Sequence, residues 1–361
     1  MDSPRAVTAR TDVVVIGGGQ AGLAAGYYLR RTGLDFVILD AQDAPGGAWR
    51  HMWDSLRLFS PAEHSSLPGR PMPPQPGRTY PDASHVIGYL KEYEERYGLP
   101  VHRPVRVLGV HRDGDDLRVE TDSGRRWARS VISATGTWWR PLIPAVRGRE
   151  IYRGRQLHTV GYRDPGEFTG RSVTVVGAGN SAAQIAADLA GHAELTWVTR
   201  HPPRFLADDV DGRALFAAAT ARRRALDAGE PDPGGVAALG DIVATPPVRA
   251  ARNKGLLRPV AMFDRLEADG PVWADGTRVR ADAVIWCTGF RPALGHLAPL
   301  GLRRSGGLIP TDGTRSVEEP RLHLLGYGDW TGPASATLIG VGLPARDAVR
   351  RIAALVRTGG R

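Results

Sequence analysis

Two glycine-rich turns carry the clearest chemistry in this chain of 361 residues. Gly17-Gly18-Gly19-Gln20-Ala21-Gly22 follows the β-branched run from Asp12 to Ile16 and opens an apolar stretch from about Gln20 to Arg31. A second apolar run, Phe36 to Leu39, then ends on Asp40. In a strand-turn-helix-strand unit, Gly17, Gly19 and Gly22 allow the tight turn, the approach of a pyrophosphate to the backbone and close packing of helix on strand. Gln20 would open the helix whose N-terminal N–H groups face the anion, and Asp40 would accept from ribose hydroxyls. The plainer reading, a glycine-rich turn in some other doubly wound fold, leaves the placement of Asp40 unexplained.

The same construction returns at Ser172 to Val176, with the turn Gly177-Ala178-Gly179-Asn180-Ser181-Ala182, a helix through about Ala190 and a strand from Leu195 to Thr199. Gly177 and Gly179 repeat the turn, Asn180 and Ser181 open the helix, and Ala182 is small enough for close packing. This strand ends on Thr199-Arg200-His201 instead of an acid. A carboxylate there would repel a 2′-phosphate, whereas Arg200 can pair with it. The competing reading is that Arg200 is one of many surface arginines. An acid for a free ribose and an arginine for a phosphorylated one together imply FAD and NADPH, two redox cofactors of which one hands hydride to the other.

The elements that must position these groups imply an α/β fold class, with two nested Rossmann-like dinucleotide-binding domains. Length alone suggests two cores. Residues 1–150 and 290–361 are expected to form the FAD-binding domain and 151–289 an inserted NADPH-binding domain, with a helical substrate-pocket segment at about 203–260. Between and after the two units we expect a loop-rich insertion at 43–82, a helix over 84–97 and strands near 104–110, 116–120 and 130–134. Beyond them come a helical stretch around 208–229, a Pro/Gly-rich connection at 230–247 and strands near 272, 279, 283–287 and 322–325. A last helix is expected from about Ser335 to Val356, packed on the first domain.

The formal charge is +9, yet of 47 basic residues only Lys91 and Lys254 are lysine, so the bias reflects genome composition as much as function. No aromatic-interleaved basic stripe supports nucleic-acid binding. No apolar run reaches membrane-spanning length, and the N-terminus lacks a signal-peptide layout, so the expectation is a cytoplasmic protein with no membrane or nucleic-acid partner. No metal cluster stands out. The oligomeric state is open, a homodimer being one candidate. The single cysteine, Cys287, excludes a disulfide relay and hence a two-dinucleotide disulfide reductase.

Further motifs give the chain a resemblance to the class B flavin-dependent monooxygenases, the group of N-hydroxylating, S-oxidising and Baeyer–Villiger enzymes. Pro45-Gly46-Gly47-Ala48-Trp49 resembles their GGxW segment, which places Gly47 and Trp49 against the flavin. Ala134-Thr135-Gly136, with Pro141 and Pro144, resembles the first ATG crossover; Cys287-Thr288-Gly289-Phe290 resembles the second, with cysteine for alanine. The run from Tyr152 through Gly154 and His158 to Tyr162 is similar to the signature F-x-G-x-x-x-H-x-x-x-[YF], with Tyr152 replacing Phe. Gly326-Tyr327-Gly328-Asp329 resembles the third flavin motif, in which the Asp binds the ribityl or pyrophosphate region; the plainer reading of Asp329 is a helix cap. The helix after it would point its N-terminal dipole at the flavin. For His158 we favour a structural hydrogen bond to a linker over acid–base chemistry.

The resemblance implies that NADPH delivers hydride to the flavin, that O₂ adds at C4a, and that the hydroperoxide passes one oxygen atom to a soft nucleophile while the other leaves as water. The protein would mainly exclude water and hold NADP⁺. Family members carry an Asn over the flavin where this chain has Ser60, so Ser60 becomes the candidate catalytic residue, able to donate to the peroxide or contact NADP⁺. Candidate substrates are amines, sulfur compounds or organoarsenicals, since length and the segment from Trp53 to Pro68 are similar to short monooxygenases of arsenic-resistance operons and to plant enzymes acting on indole pyruvate. The alternatives are an NAD(P)H-dependent flavin reductase or oxidase that passes electrons to a quinone or O₂, and a non-catalytic nucleotide-binding sensor.

Overall fold

Apolar strands joined through helices build two large sheets, beside a small two-stranded one, in this computed structural model, which describes residues 7–208, 210, 212–231 and 242–358. The first unit runs β1 (Val7–Ile16), α1 (Gln20–Leu29), β2 (Phe36–Leu39), α2 (Ala83–Tyr97), β3 (Val101–His102), β4 (Val107–Asp113), β5 (Asp116–Thr121) and β6 (Gly124–Ser133). The second runs β7 (Arg155–His158), β8 (Ser172–Val176), α3 (Asn180–Leu189), β9 (Glu194–Thr199), α4 (Gly212–Asp227), α5 (Pro246–Asn253), β10 (Pro259–Ala261), the hairpin β11 (Arg265–Glu267) and β12 (Gly270–Val272), and β13 (Ala283–Trp286). The chain closes with β14 (Thr311–Asp312), β15 (Arg315–Ser316), β16 (Leu322–Leu324) and α6 (Gly342–Thr358).

Strand order explains why the chain ends where it begins. β16 pairs parallel with β6, which pairs with β1, then β2 and β3, so the last strands complete the first sheet, and the β4–β5 hairpin hangs from β6. The intervening strands form their own all-parallel sheet in the order β10-β9-β8-β13-β7. Val13, Val14 and Val15 are fully buried, as is expected of a strand covered on both faces. Helices α1, α2 and α6 share one core through Leu23, Tyr93 and Ile352. The core of the second sheet takes in Trp53 and Leu56 from the 43–82 insertion, so that insertion is packed into the other unit.

Three expectations shift. β7 was hidden inside the 152–162 signature, and no strand forms near 279. Within the Pro/Gly-rich connection at 230–247, residues 232–241 lie outside the described residues, and α5 begins at its far end. The last helix starts at Gly342 and not near Ser335. There Ser335 Oγ donates to Gly328 O (2.7 Å) and Thr337 Oγ1 to Ala334 O (2.8 Å), hydroxyl bonds that compete with a helix, and Gly332 has a φ of 127°. No helix among the described residues is long and apolar enough to cross a membrane.

Candidate functional site

One cleft of about 560 Å³ opens where the two units meet. Gly17, Gly19, Gln20 and Asp40 line it from the first unit, Gly47 and Trp49 from the insertion, Thr135 and Gly136 from the first crossover, and Asn180 and Ser181 from the start of α3. These are residues the sequence nominated, now on one surface. Gly22, Ser60, Gly177, Gly179, Arg200, Thr288, Gly289 and Asp329 are not on its wall.

The first turn leaves room for backbone-bound phosphate. α1 has Gly19 as its N-cap, with no capping side chain and no acid in its first turn, so among the described residues no side chain caps its leading N–H groups. A Cβ on Gly47 would come within 2.9 Å of Gly19 Cα, and one on Gly18 within 2.7 Å of Asp40 Oδ2. Glycine therefore keeps a floor of bare backbone. Gln20 ties this floor together: Trp49 Nε1 donates to its Oε1 (3.1 Å), and its Nε2 donates to Ala336 O (2.6 Å). Asp40, 5% exposed, takes Arg103 Nε on Oδ2 at 2.8 Å, and Arg103 also forks onto Glu94 at 2.6 and 2.8 Å. Burial alone would pull the Arg103 guanidinium down, but its bonds to Glu94 and Asp40 outweigh this and leave it raised. A carboxylate has about four acceptor positions, so Asp40 keeps capacity for a hydroxyl. The bare floor, the uncapped helix and the strand-end acid fit a dinucleotide such as FAD.

The second turn is built alike, with α3 uncapped at Gly179 and free of acid in its first turn. Its polar side chains differ. Asn180 Oδ1 accepts from Val243 N at 2.9 Å, pinning the segment that follows the undescribed residues. One turn on, Gln184 brackets the main chain of Arg57, accepting from its N–H and donating to its carbonyl, both at 3.1 Å. Asp188 accepts from Ser55 Oγ (2.7 Å) and Tyr162 Oη (2.6 Å). Burial first, and Asp188 second, push the Tyr162 phenol up, so it remains a donor. Residues 55–57 are thus fastened to the second unit, and Leu56 and Arg57 face the cleft. Arg57, Gln184 and Arg103 escaped the sequence reading because nothing local marks a residue whose partner is remote in sequence.

The crossovers pair with each other. Thr135 Oγ1 donates to Ala293 O (2.7 Å), Ala293 N to Gly136 O (2.9 Å), Thr288 Oγ1 to Leu142 O (2.5 Å) and Leu142 N to Gly289 O (3.0 Å). His158 Nε2 lies 3.0 Å from Gly289 O, its ring packs on Phe290, and Phe290 stacks on Trp138. Burial lowers the His158 pKa, and a neutral imidazole donating to Gly289 O fits the linker role expected of it. Cys287 packs in the second core, and burial pushes its thiol up to about 12.

Other candidates lie apart. Arg200 is exposed just beyond β9. Ser60 is half-buried, and the neighbouring wall position belongs to Phe59. Asp329 faces Arg222 (3.4 Å) and Ala334 N (3.4 Å); Gly326 and Ala336 meet the cleft in its place. The described part of 203–260 lends no residue to the cleft wall. No group of three or more His, Cys, Asp or Glu among the described residues could hold a metal ion.

A family model described as pyridine nucleotide-disulphide oxidoreductase matches residues 14–213. The solved structure of a flavin-containing monooxygenase from Stenotrophomonas maltophilia is 51% identical, with a TM-score of 0.88 over 96% of this chain and 99% of that one. An uncharacterized oxidoreductase, CzcO-like, from Geobacillus kaustophilus is 31% identical over 94% of this chain and 98% of its own length. Indole-3-pyruvate monooxygenase YUCCA1 of Oryza sativa is 27% identical over 85% of this chain and 82% of its own.

Proposed function

Because the chain belongs to the pyridine nucleotide-disulphide oxidoreductase family and, within it, to the class B flavin monooxygenases, we propose that it uses FAD, NADPH and O₂ to oxygenate a small soft nucleophile at nitrogen, sulfur or arsenic. The observation that carries this reading is the single cleft that joins the start of α1, the start of α3 and the aromatic insertion. FAD, when bound, supplies oxygen activation after reduction by NADPH, one oxygen atom going to the nucleophile and the other to water. The chain's own residues bind, orient and shield. Backbone at Gly17 and Gly19 holds the FAD diphosphate, Asp40 the ribose, Asn180 and Ser181 the NADPH side, and Trp49, Trp53 and Phe59 exclude water. With one cysteine in the whole sequence, no dithiol relay competes.

Anaerobic mixing of the FAD-loaded protein with NADPH should bleach the flavin within seconds; later mixing with O₂ and dimethyl sulfide or trimethylamine should give oxygenated product. Bleaching without product across amines, thioethers and methylarsenicals would favour the reductase reading. Absence of bleaching would favour a sensor. Two residue roles have their own outcomes. Arg200→Ala should raise the NADPH KM by roughly tenfold or more while leaving NADH nearly untouched, the scale of a lost charge-assisted pair; equal effects on both nucleotides would remove Arg200 from the 2′-phosphate. Ser60→Ala should lower product formed per NADPH oxidised and raise hydrogen peroxide release. Unchanged coupling would assign Ser60 no part in stabilising the oxygenating state.

A further inference from the structure

Among the described residues, the cleft wall holds one half-buried cation with no ion-pair partner, although Asp82 and Asp188 act on it at longer range. Arg57 faces the cleft among Trp53, Leu56, Leu58 and Phe59. Its Nη1 donates to the neighbouring Leu56 O at 2.9 Å, and no carboxylate oxygen of the described residues lies within 4.0 Å of the guanidinium. The nearest acids are committed elsewhere. Asp82 accepts from Gln75 Nε2 (2.9 Å), Ser84 Oγ (2.7 Å) and His85 N (3.0 Å), and Asp188 from Ser55 and Tyr162. The other arginine on the cleft wall, Arg106, is exposed, and Arg103, behind Asp40, is forked between two carboxylates.

Position and charge both bear on what Arg57 can bind. Gln184 holds its N–H and its carbonyl, so the side chain starts from a fixed point. Burial, with Arg78, pulls its pKa down, and Asp82 and Asp188 oppose that; a guanidinium nonetheless stays charged at ordinary pH. A partly desolvated cation without a counter-ion is unfavourable, and a bound anion offsets the penalty. A planar fork on an apolar wall matches a planar carboxylate attached to an apolar body. Resting on the oxygenase reading above, we propose that Arg57 is the anion receptor of this cleft and that the substrate pairs a carboxylate with an apolar, ring-sized body lying along Trp53, Leu56 and Phe59.

Direct binding tests this without requiring turnover. Phenylacetate and 4-(methylthio)phenylacetate, each beside its primary amide, are titrated into the FAD-loaded protein and followed by the flavin absorbance change and by calorimetry. The acids should bind roughly tenfold or more tighter than the amides, the span of a charge-assisted bidentate contact. Arg57→Gln should bring the acid-to-amide ratio near one, and Arg57→Lys, which keeps the charge and loses the fork, should retain part of it. Equal binding of acid and amide by the unmodified protein, or binding of neither, overturns the proposal. So does an Arg57→Gln variant that weakens NADP⁺ binding while keeping the acid-to-amide ratio, since that places the guanidinium on the cofactor diphosphate. Selective acid binding without any oxygenated thioether would instead refute the oxygenase reading and leave the receptor intact.

Discussion

Gly22→Val is expected to yield protein that purifies without FAD, with far-UV signal from the second sheet retained and a lower melting temperature. A Cβ at Gly22 would overlap the carbonyl oxygen of Gly17, which is backbone in the very turn that forms the cleft floor. Relief requires α1 to move off β1, and overpacking of this kind costs about 1–3 kcal/mol even where side chains can yield. Here the atom that must yield is main chain. Gly17 is held in turn, with a φ of 108° and no room for a Cβ beside Ala134 O. A contrast separates fold from site. At Gly19 the nearest atom to an added Cβ is Gly47 Cα at 3.9 Å, so Gly19→Ala should fold normally yet bind FAD more weakly by narrowing the approach to the backbone. Bound flavin per chain, read from absorbance, and melting with and without added FAD check both. A Gly22→Val protein that retains stoichiometric FAD would show that the turn does not carry the diphosphate.

The two fingerprints also show what the sequence made legible and where it stopped. Their turns, helices and flanking strands stand where β-branched runs and glycines put them, and the α2 helix spans Ala83–Tyr97 with Asp82 as its N-cap and Gly98 at its C-terminus. Ala182, buried at 0% exposure, occupies in the second turn the position where Gly22 tolerates no Cβ, so similar patterns conceal different helix-to-turn spacing. Partners across the chain left no local mark. The bracket of Gln184 on Arg57, the pairing of the two crossovers, and Arg103 between Asp40 and Glu94 join residues remote in sequence, and periodicity carries no information on them. Asp329 is a different case. Its motif is local, but hydroxyl bonds from Thr331 and Ser335 to Gly328 O bend the chain there, and its carboxylate faces Arg222.

Arg103→Met is expected to cost about 3–5 kcal/mol, the scale for removing one partner of a buried ion network. The side chains of Arg103, Asp40 and Glu94 are only 10%, 7% and 15% exposed, so solvent does not rescue the acids left behind. Methionine fills much of the volume, which confines the effect to charge. Deprived of the guanidinium, the two acids stay buried without their cation. Denaturant unfolding of the FAD-saturated protein, with the unmodified chain in parallel, reads the difference directly. The same loss reaches the cofactor: Asp40 Oδ2 no longer has Arg103 to orient it, so FAD affinity should fall by more than stability alone explains, and Arg103→Lys, which restores charge without the fork, should recover stability in part and leave Glu94 with a single contact. A loss below about 1 kcal/mol, the scale of an exposed ion pair, would mean that the guanidinium does not offset the burial of the two acids, and that Asp40 is held at the ribose position by its backbone alone.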